Sequence, residues 1–507
     1  MRVEFFHFMK KFHSVLCTLY SVLCTLYSVL CTLYSVLCTL YSVLCTLYSV
    51  LCTLYSVLCT LYQRGVFMRS IIISSNSSGG GKTTVTLGLM KALIKKDYKV
   101  QGYKVGPDYI DPAFHSYVTE NSSRNLDLFL MGEDGVKASY SRGKGDLGVI
   151  EGVMGLYDGK GIDTKYSTAH LSKVLNLPVV LVLTPKAQSA TLCAEIMGIL
   201  NYEKINIVGV IFNKVSESYY KLLKKLVEEN CGLKVFGYVP KEEKLELKSR
   251  HLGLIQSSEI KDLEEKIDIC SELILKYVDI ENLINHFEKT EKYKDNFYLE
   301  NKNLNIGIPY DKAFSFYYKE NIELLENVGN IKYFSPMKDE KLPEYLDFLY
   351  IGGGYPEVFI KELRENKSML SSINKELNNG LTCYAECGGL MYLTEGIEDL
   401  EGDYKEAVGF LNGQCHMTKR LQNFGYAEIE VEKENKILSK GLKINCHEFH
   451  KSYVDLKEDK IYELTKNLYD DSTKKWSCGY IKNNTLAAYA HVHFFGNMDF
   501  ARNLFNR

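Results

Sequence analysis

The chain has 507 residues, 46% of them hydrophobic and 24% charged, with a formal net charge of -2. That is the balance of a soluble globular protein of several domains, and it excludes a disordered or collagen-like chain. There is no basic field for nucleic acid and no acidic tail. Seven of the 15 cysteines fall in an N-terminal repeat, and the other eight are scattered from Cys193 to Cys478 without a C-x-x-C pair. Neither a zinc ribbon nor a thioredoxin-like redox site is indicated, and the pattern fits a reducing cytoplasm.

From Ser14 to Tyr62 the heptapeptide SVLCTLY occurs seven times without a substitution. A coiled-coil seam would carry charge at its e and g positions, and this unit carries none. A bilayer span needs ~20 apolar residues, so the tract is long enough for two crossings. Identical copies are better explained by tandem duplication in the DNA, because selection on a protein lets Leu and Ile exchange. Met68 follows, two residues ahead of the strand-like run Ser70–Ser74. The expectation is that residues 1–67 are an upstream tract joined by a misplaced start, outside the working protein. A membrane anchor and a folded repeat are the weaker readings.

Residues 68–240 read as an α/β unit. Apolar runs at Ile71–Ile73, Val100–Val105, Leu147–Ile150, Val179–Leu183 and Ile207–Phe212 alternate with helix-like segments such as Thr83–Lys95, Ala190–Leu200 and Ser218–Glu229. Strands separated by helices of this length imply a parallel sheet with right-handed crossovers. Residues 241–303 turn charged and helical and read as a connector. A second α/β unit, residues 304–507, opens with Leu304–Ile308 and continues through Phe348–Ile351 and Leu381–Tyr384, with shorter strand-like pieces from Tyr426 onward.

The first strand runs into Asn76-Ser77-Ser78-Gly79-Gly80-Gly81-Lys82-Thr83-Thr84. Glycines let backbone N–H groups of residues 78–84 close on phosphates, Lys82 neutralises the β and γ oxygens, and the Thr83 hydroxyl ligates Mg²⁺. The strict P-loop pattern is missed only at Asn76, where its first glycine belongs. Two acidic clusters end further strands: Asp108 and Asp111 after the second, Glu151 and Asp158 after the third. The carboxyl ends of strands face the ligand crevice in open α/β sheets, and a carboxylate there partners the nucleotide's metal.

In the second unit Ala385-Glu386-Cys387-Gly388-Gly389 places a cysteine between a strand and a helix-like stretch. Such an elbow holds the thiol at a helix N-terminus, where the dipole favours thiolate. Gly353 and Gly354, after another strand, and Gly388 are candidate donors to an oxyanion. Tyr489-Ala490-His491-Val492-His493 ends a late strand with two candidate bases. A cysteine, a glycine-rich turn and a late histidine together point to amide cleavage by a Cys-His site.

These strings, with Arg124–Asp127, Arg250–Leu254, Gly353–Glu357, Ala385–Tyr392 and His447–His450, resemble the cobyrinate a,c-diamide synthase family over essentially everything from Met68 onward. These are glutamine-dependent amidotransferases of cobalamin biosynthesis, and the family has no such repeat. The resemblance implies a dethiobiotin synthetase-like P-loop domain joined to a class I glutamine amidotransferase α/β domain. It implies ATP, glutamine and a corrinoid, cobyrinate, as substrates, with Mg²⁺ held by Thr83 and Glu151. Cys387 is then the glutaminase nucleophile and His491 its activator. Class I relatives carry a carboxylate two residues after that histidine; here His493 stands there, which implies a Cys-His dyad. Asp108, Asp111, Glu151 and Asp158 match the family's acidic catalytic positions, while Tyr109 and Ile110 would orient the corrinoid carboxylates. Cys446 precedes His447 where glycine is usual. A cytoplasmic location with no membrane and no nucleic acid is implied, and a homodimer is left open. The alternatives are the same chemistry on hydrogenobyrinate or nickel-sirohydrochlorin, or a regulatory P-loop ATPase with a non-catalytic amidotransferase-like tail. The presence of both Cys387 and His491 argues against the last.

Overall fold

A computed structural model describes residues 2–63, 68–242, 245, 263–290 and 293–505, in two compact units that divide between Val66 and Phe67. The repeat region is one continuous helix, α1 (Arg2–Gln63), whose Val, Leu and Tyr side chains from Val15 to Tyr55 lie exposed. Each Thr in the repeat from Thr18 to Thr53 donates its hydroxyl to the Ser carbonyl four residues back. That bond satisfies a hydroxyl on a surface that is otherwise apolar. The stretch Phe6–Tyr55 is long and apolar enough to cross a membrane.

The second unit begins with a parallel sheet of seven strands: β1 (Arg69–Ser75), β2 (Val100–Val105), β3 (Arg124–Leu126), β4 (Leu147–Glu151), β5 (Val179–Leu183), β6 (Ile207–Asn213) and β7 (Val235–Val239). Their spatial order is β3-β2-β4-β1-β5-β6-β7. β1 is central and its residues from Ile71 to Ile73 are wholly buried, which explains its continuous apolar run. Between strands lie α2 (Lys82–Ile94), α3 (Ile110–Thr119), α4 (Leu128–Ser141), α5 (Thr168–Leu175), α6 (Ala190–Tyr202) and α7 (Glu217–Cys231).

Part of the expected connector belongs to this half. α8 (Leu263–Tyr277) packs on α2 so closely that a Cβ added at Gly88 would meet Cys270 Sγ at 2.4 Å. β8 (Glu288–Lys289) then pairs antiparallel with β1. The Arg250–Leu254 string lies outside the described residues.

The second sheet opens with β9 (Leu304–Pro309), β10 (Phe314–Phe316), β11 (Gly329–Phe334), β12 (Phe348–Ile351), β13 (Gly353–Gly354) and β14 (Thr382–Glu386), of which β10 and β13 form a separate antiparallel pair. It continues with β15 (Gly396–Glu398), β16 (Tyr404–Glu406), β17 (Gly413–Val431), β18 (Lys443–Leu456), β19 (Asp459–Asn467), β20 (Thr473–Lys482), β21 (Thr485–Ala488) and β22 (His491–Val492). β11, β9, β12, β14 and β21 are parallel neighbours; β20, β19 and β17 extend the sheet antiparallel. Here the sequence reading needs correction. The short pieces expected from Tyr426 are the second half of a long ribbon, β17 and β18, which begins at Gly413. Register shifts between Met417 and Gly425 break its apolar alternation.

The two sheets are joined within this unit by buried polar bonds. Arg124 of β3 donates to Glu320 at 2.8 Å and to Glu323 at 2.5 Å, and the Ser139 hydroxyl donates to Glu320 at 2.6 Å. Burial alone would raise the Glu320 carboxyl, but His493 and Arg124 hold it well below the usual range. The Tyr426 hydroxyl reaches Asp127 at 2.7 Å.

Candidate functional site

β1 ends in an open loop, with residues 76–79 exposed and Gly80 buried against the Ser75 side chain. Gly81 has φ +89, and a Cβ there would lie 2.1 Å from the Asn213 side-chain nitrogen, so the turn into α2 admits only glycine. Lys82, the first residue of α2, curls back to donate to the carbonyls of Ser77 and Met154. Burial, then the neighbouring Lys104, lower its ammonium to about 8 against the pull of Glu151, Asp111 and Asp158.

Glu151, at the carboxyl end of β4 and wholly buried, is the hub of this side. Its Oε1 accepts from the Thr83 hydroxyl at 2.6 Å and from Lys104 at 3.1 Å, and its Oε2 lies 2.7 Å from His115 Nε2. Burial by itself would raise this carboxyl; Lys104, His115 and Thr83 together hold it well below the usual carboxylate range. Lys104 also pairs with Asp111, whose own carboxyl is pushed well up by burial and by the Glu151 charge. The Lys104 ammonium stays above its ordinary value, because Asp111, Glu151 and Asp108 outweigh its burial.

The sequence-predicted acids thus fall into place unequally. Asp111 and Glu151 meet around Lys104, Asp108 accepts from the Ile110 N–H at 2.8 Å, and Asp158 accepts from the Gly155 N–H at 2.7 Å. Ile110 is buried at the start of α3. Lys104 and His115 were missed; the signal for Lys104 was a lone charge inside the apolar strand VQGYKV. Lys104→Met should remove the buried ammonium that Asp111 and Glu151 share. That costs ~3–5 kcal/mol, and the melting temperature should fall clearly; an unchanged melt would show that the network contributes nothing.

On the other sheet, β14 turns abruptly into the helix Gly388–Leu393 at Cys387, which has φ +48. An L-residue held there is strained, as at a nucleophile elbow. Cβ atoms built on the glycines show how tight the site is. One at Gly388 would lie 3.0 Å from Gly354 N, and one at Gly353 would lie 2.5 Å from His491 Cε1. The three candidate oxyanion glycines, the elbow and the histidine are therefore neighbours.

The expected resting thiolate is not what this environment favours. Burial, then the charges of Glu357 and Glu448, push the Cys387 thiol well up, and the Gly388 N–H offsets this only in part. A base is needed, and among the described residues no hydrogen bond joins the thiol to His491 in this state; such contacts often tighten only with substrate bound.

His491 Nδ1 lies 3.3 Å from the Tyr109 hydroxyl and 3.5 Å from Glu386 Oε2. Tyr109 also stacks on Phe316, with centroids 5.0 Å apart, so it reaches the C-terminal half from between Asp108 and Asp111. The His491 ring stacks on His447 at 4.9 Å, and His447 Nε2 bonds the Tyr318 hydroxyl at 2.8 Å. Burial, then His491, keep His447 neutral by driving it well below its usual value. His493 is turned to Glu320, at 3.4 Å.

Residues 71–255 match the CobQ/CobB/MinD/ParA nucleotide binding domain, and residues 305–498 match the CobB/CobQ-like glutamine amidotransferase domain. Fold and matches define an α/β ligase of the glutamine amidotransferase type, with an N-terminal P-loop nucleotide-binding half. A cobyrinate a,c-diamide synthase of Clostridium tetani is 69% identical over 442 residues, 87% of this chain and 100% of the relative. Those of Clostridium acetobutylicum and Caldanaerobacter subterraneus are 63% and 45% identical, covering 86% and 84% of this chain and 100% and 95% of theirs. The chain belongs to the cobyrinate a,c-diamide synthase family.

Proposed function

We propose that the chain amidates the a and c carboxylates of cobyrinate, with ATP as activator and glutamine as nitrogen donor. A carboxylate does not condense with ammonia at useful rates. One carboxylate oxygen of the acceptor attacks the γ-phosphorus, ADP leaves, ammonia attacks the acyl carbon and phosphate departs. Lys82 and the backbone of residues 78–84 bind the phosphates, and Asp108, Asp111 and Asp158 surround the reacting groups. Mg²⁺ would be held by the Thr83 hydroxyl and the Glu151 carboxylate, neighbouring hard oxygen donors of the kind it prefers, and would neutralise phosphate charge. On the other side the Cys387 thiol passes its proton to His491 and attacks the glutamine carboxamide. N–H groups at Gly353, Gly354 and Gly388 steady the oxyanion, His491 returns the proton to the departing nitrogen so that ammonia leaves, and water hydrolyses the thioester.

The observation that supports this most is the occurrence of both sites in one folded unit, bridged by the Tyr109–His491 hydrogen bond. The test incubates the protein with ATP, Mg²⁺, glutamine and one tetrapyrrole at a time. Cobyrinate should gain two amides by mass spectrometry. Amidation of hydrogenobyrinate or nickel-sirohydrochlorin but not of cobyrinate would overturn the substrate assignment. We further place the activity in the cytoplasm, where ATP and glutamine are at hand, and assign none of it to α1. A protein beginning at Met68 should fold and amidate at the full-length rate; loss of either would show that the repeat belongs to the enzyme.

A further inference from the structure

Two residues after His491, where class I amidotransferases have a carboxylate, stands His493, which is committed to Glu320. We propose that Glu386, the residue just before the nucleophile, replaces that carboxylate as the positioning residue of His491. It keeps the proton on Nδ1 and turns the Nε2 edge toward the elbow. This deepens the reading of Cys387 and His491 as the glutaminase pair and rests on it.

The geometry carries the proposal at three points. Glu386 closes β14 and is 1% exposed, and its Oε2 faces His491 Nδ1 at 3.5 Å. The same carboxylate accepts from the Val492 N–H and the Tyr350 hydroxyl, each at 3.3 Å, so it fixes the backbone beside His491 as well as the ring. The Cε1–Nε2 edge of the ring faces Gly353, which borders the Cys387 turn. A buried carboxylate also needs a counter-charge. Among the described residues His491 is the only basic side chain within 4 Å of Glu386. Its other two partners are neutral donors. When the Cys387 proton moves to His491 Nε2, the imidazolium formed lies against a carboxylate already in place.

Glu386→Gln tests this, because it keeps the size and the bond to Val492 but removes the charge. The kcat for glutamine hydrolysis should fall on the order of 10⁴-fold, as when the buried carboxylate behind a catalytic histidine is lost. The KM for glutamine should stay within about twofold, since the carboxylate touches no substrate. Glu386, Tyr109 and His447 are the titratable groups facing the ring. Removing the one charge among them should move the acidic limb of the pH profile to lower pH. Glu386→Asp, which retains the charge on a shorter arm, should recover part of the rate, and it serves alone if the Gln variant does not fold. Wild-type kcat with an unmoved acidic limb would overturn the proposal. Failure of ammonia to rescue Cys387→Ser would instead remove the glutaminase reading beneath it.

Discussion

Cys387→Ser should lose amidation fed by glutamine, by on the order of 10³-fold or more, while amidation fed by ammonia continues. The thiol is 6% exposed and sits at a φ of +48, so serine, nearly the same size, inherits the same strained position without a cavity. What changes is the atom. A serine hydroxyl is a far weaker nucleophile than a thiolate, and the surroundings that already push the thiol up would disfavour an alkoxide still more. The acyl-phosphate step draws on residues from the first sheet, which this substitution leaves untouched. Mass spectrometry of the tetrapyrrole product with each nitrogen source is the measurement. If high ammonia fails to restore amide, either Cys387 is not the nucleophile or the two reactions do not have separate sites.

Glu151→Gln should give the opposite pattern, with amidation falling ~10²-fold whichever nitrogen source is used, the loss expected for one preorganised electrostatic group. Glutamine is isosteric with glutamate, but Glu151 accepts from Thr83, Lys104 and His115 at once. An amide offers one oxygen and two N–H donors to those partners, so at least one of them meets a donor. Lys104 keeps Asp111, which limits the effect on folding. A thermal melt beside the rate measurement separates lost chemistry from lost fold. Near-normal ammonia-fed amidation would take Glu151 out of the catalytic set.

The first sheet was legible because its central strands are buried on both faces and spell themselves as unbroken apolar runs: β1, β2, β4, β5 and β6 all appear near their expected places. β3 has three residues and includes Arg124, so it has no apolar run to detect. The phosphate loop and the elbow were legible because each compresses its chemistry into consecutive residues. Lys104, His115 and Glu386 were not, because their partners lie on other strands and helices. The reading of a Cys-His dyad was local for a related reason. It sought the third group two residues after the histidine, whereas the fold brings a carboxylate against His491 from β14.

The Arg124–Glu320 weld has a consequence for how the polypeptide can be divided. Glu320 has no exposure to solvent, and Arg124 and Ser139, two of its partners, come from the nucleotide-side half. Two fragments cut between α8 and β9 would each keep a sheet, yet the second would carry an anion shaped for a guanidinium it no longer meets. Tyr318 and His447, wedged beside Pro107 and Tyr109, would lose their lid as well. A nicked chain can stay assembled, whereas a separately made amidotransferase fragment starts with its histidine cluster uncovered.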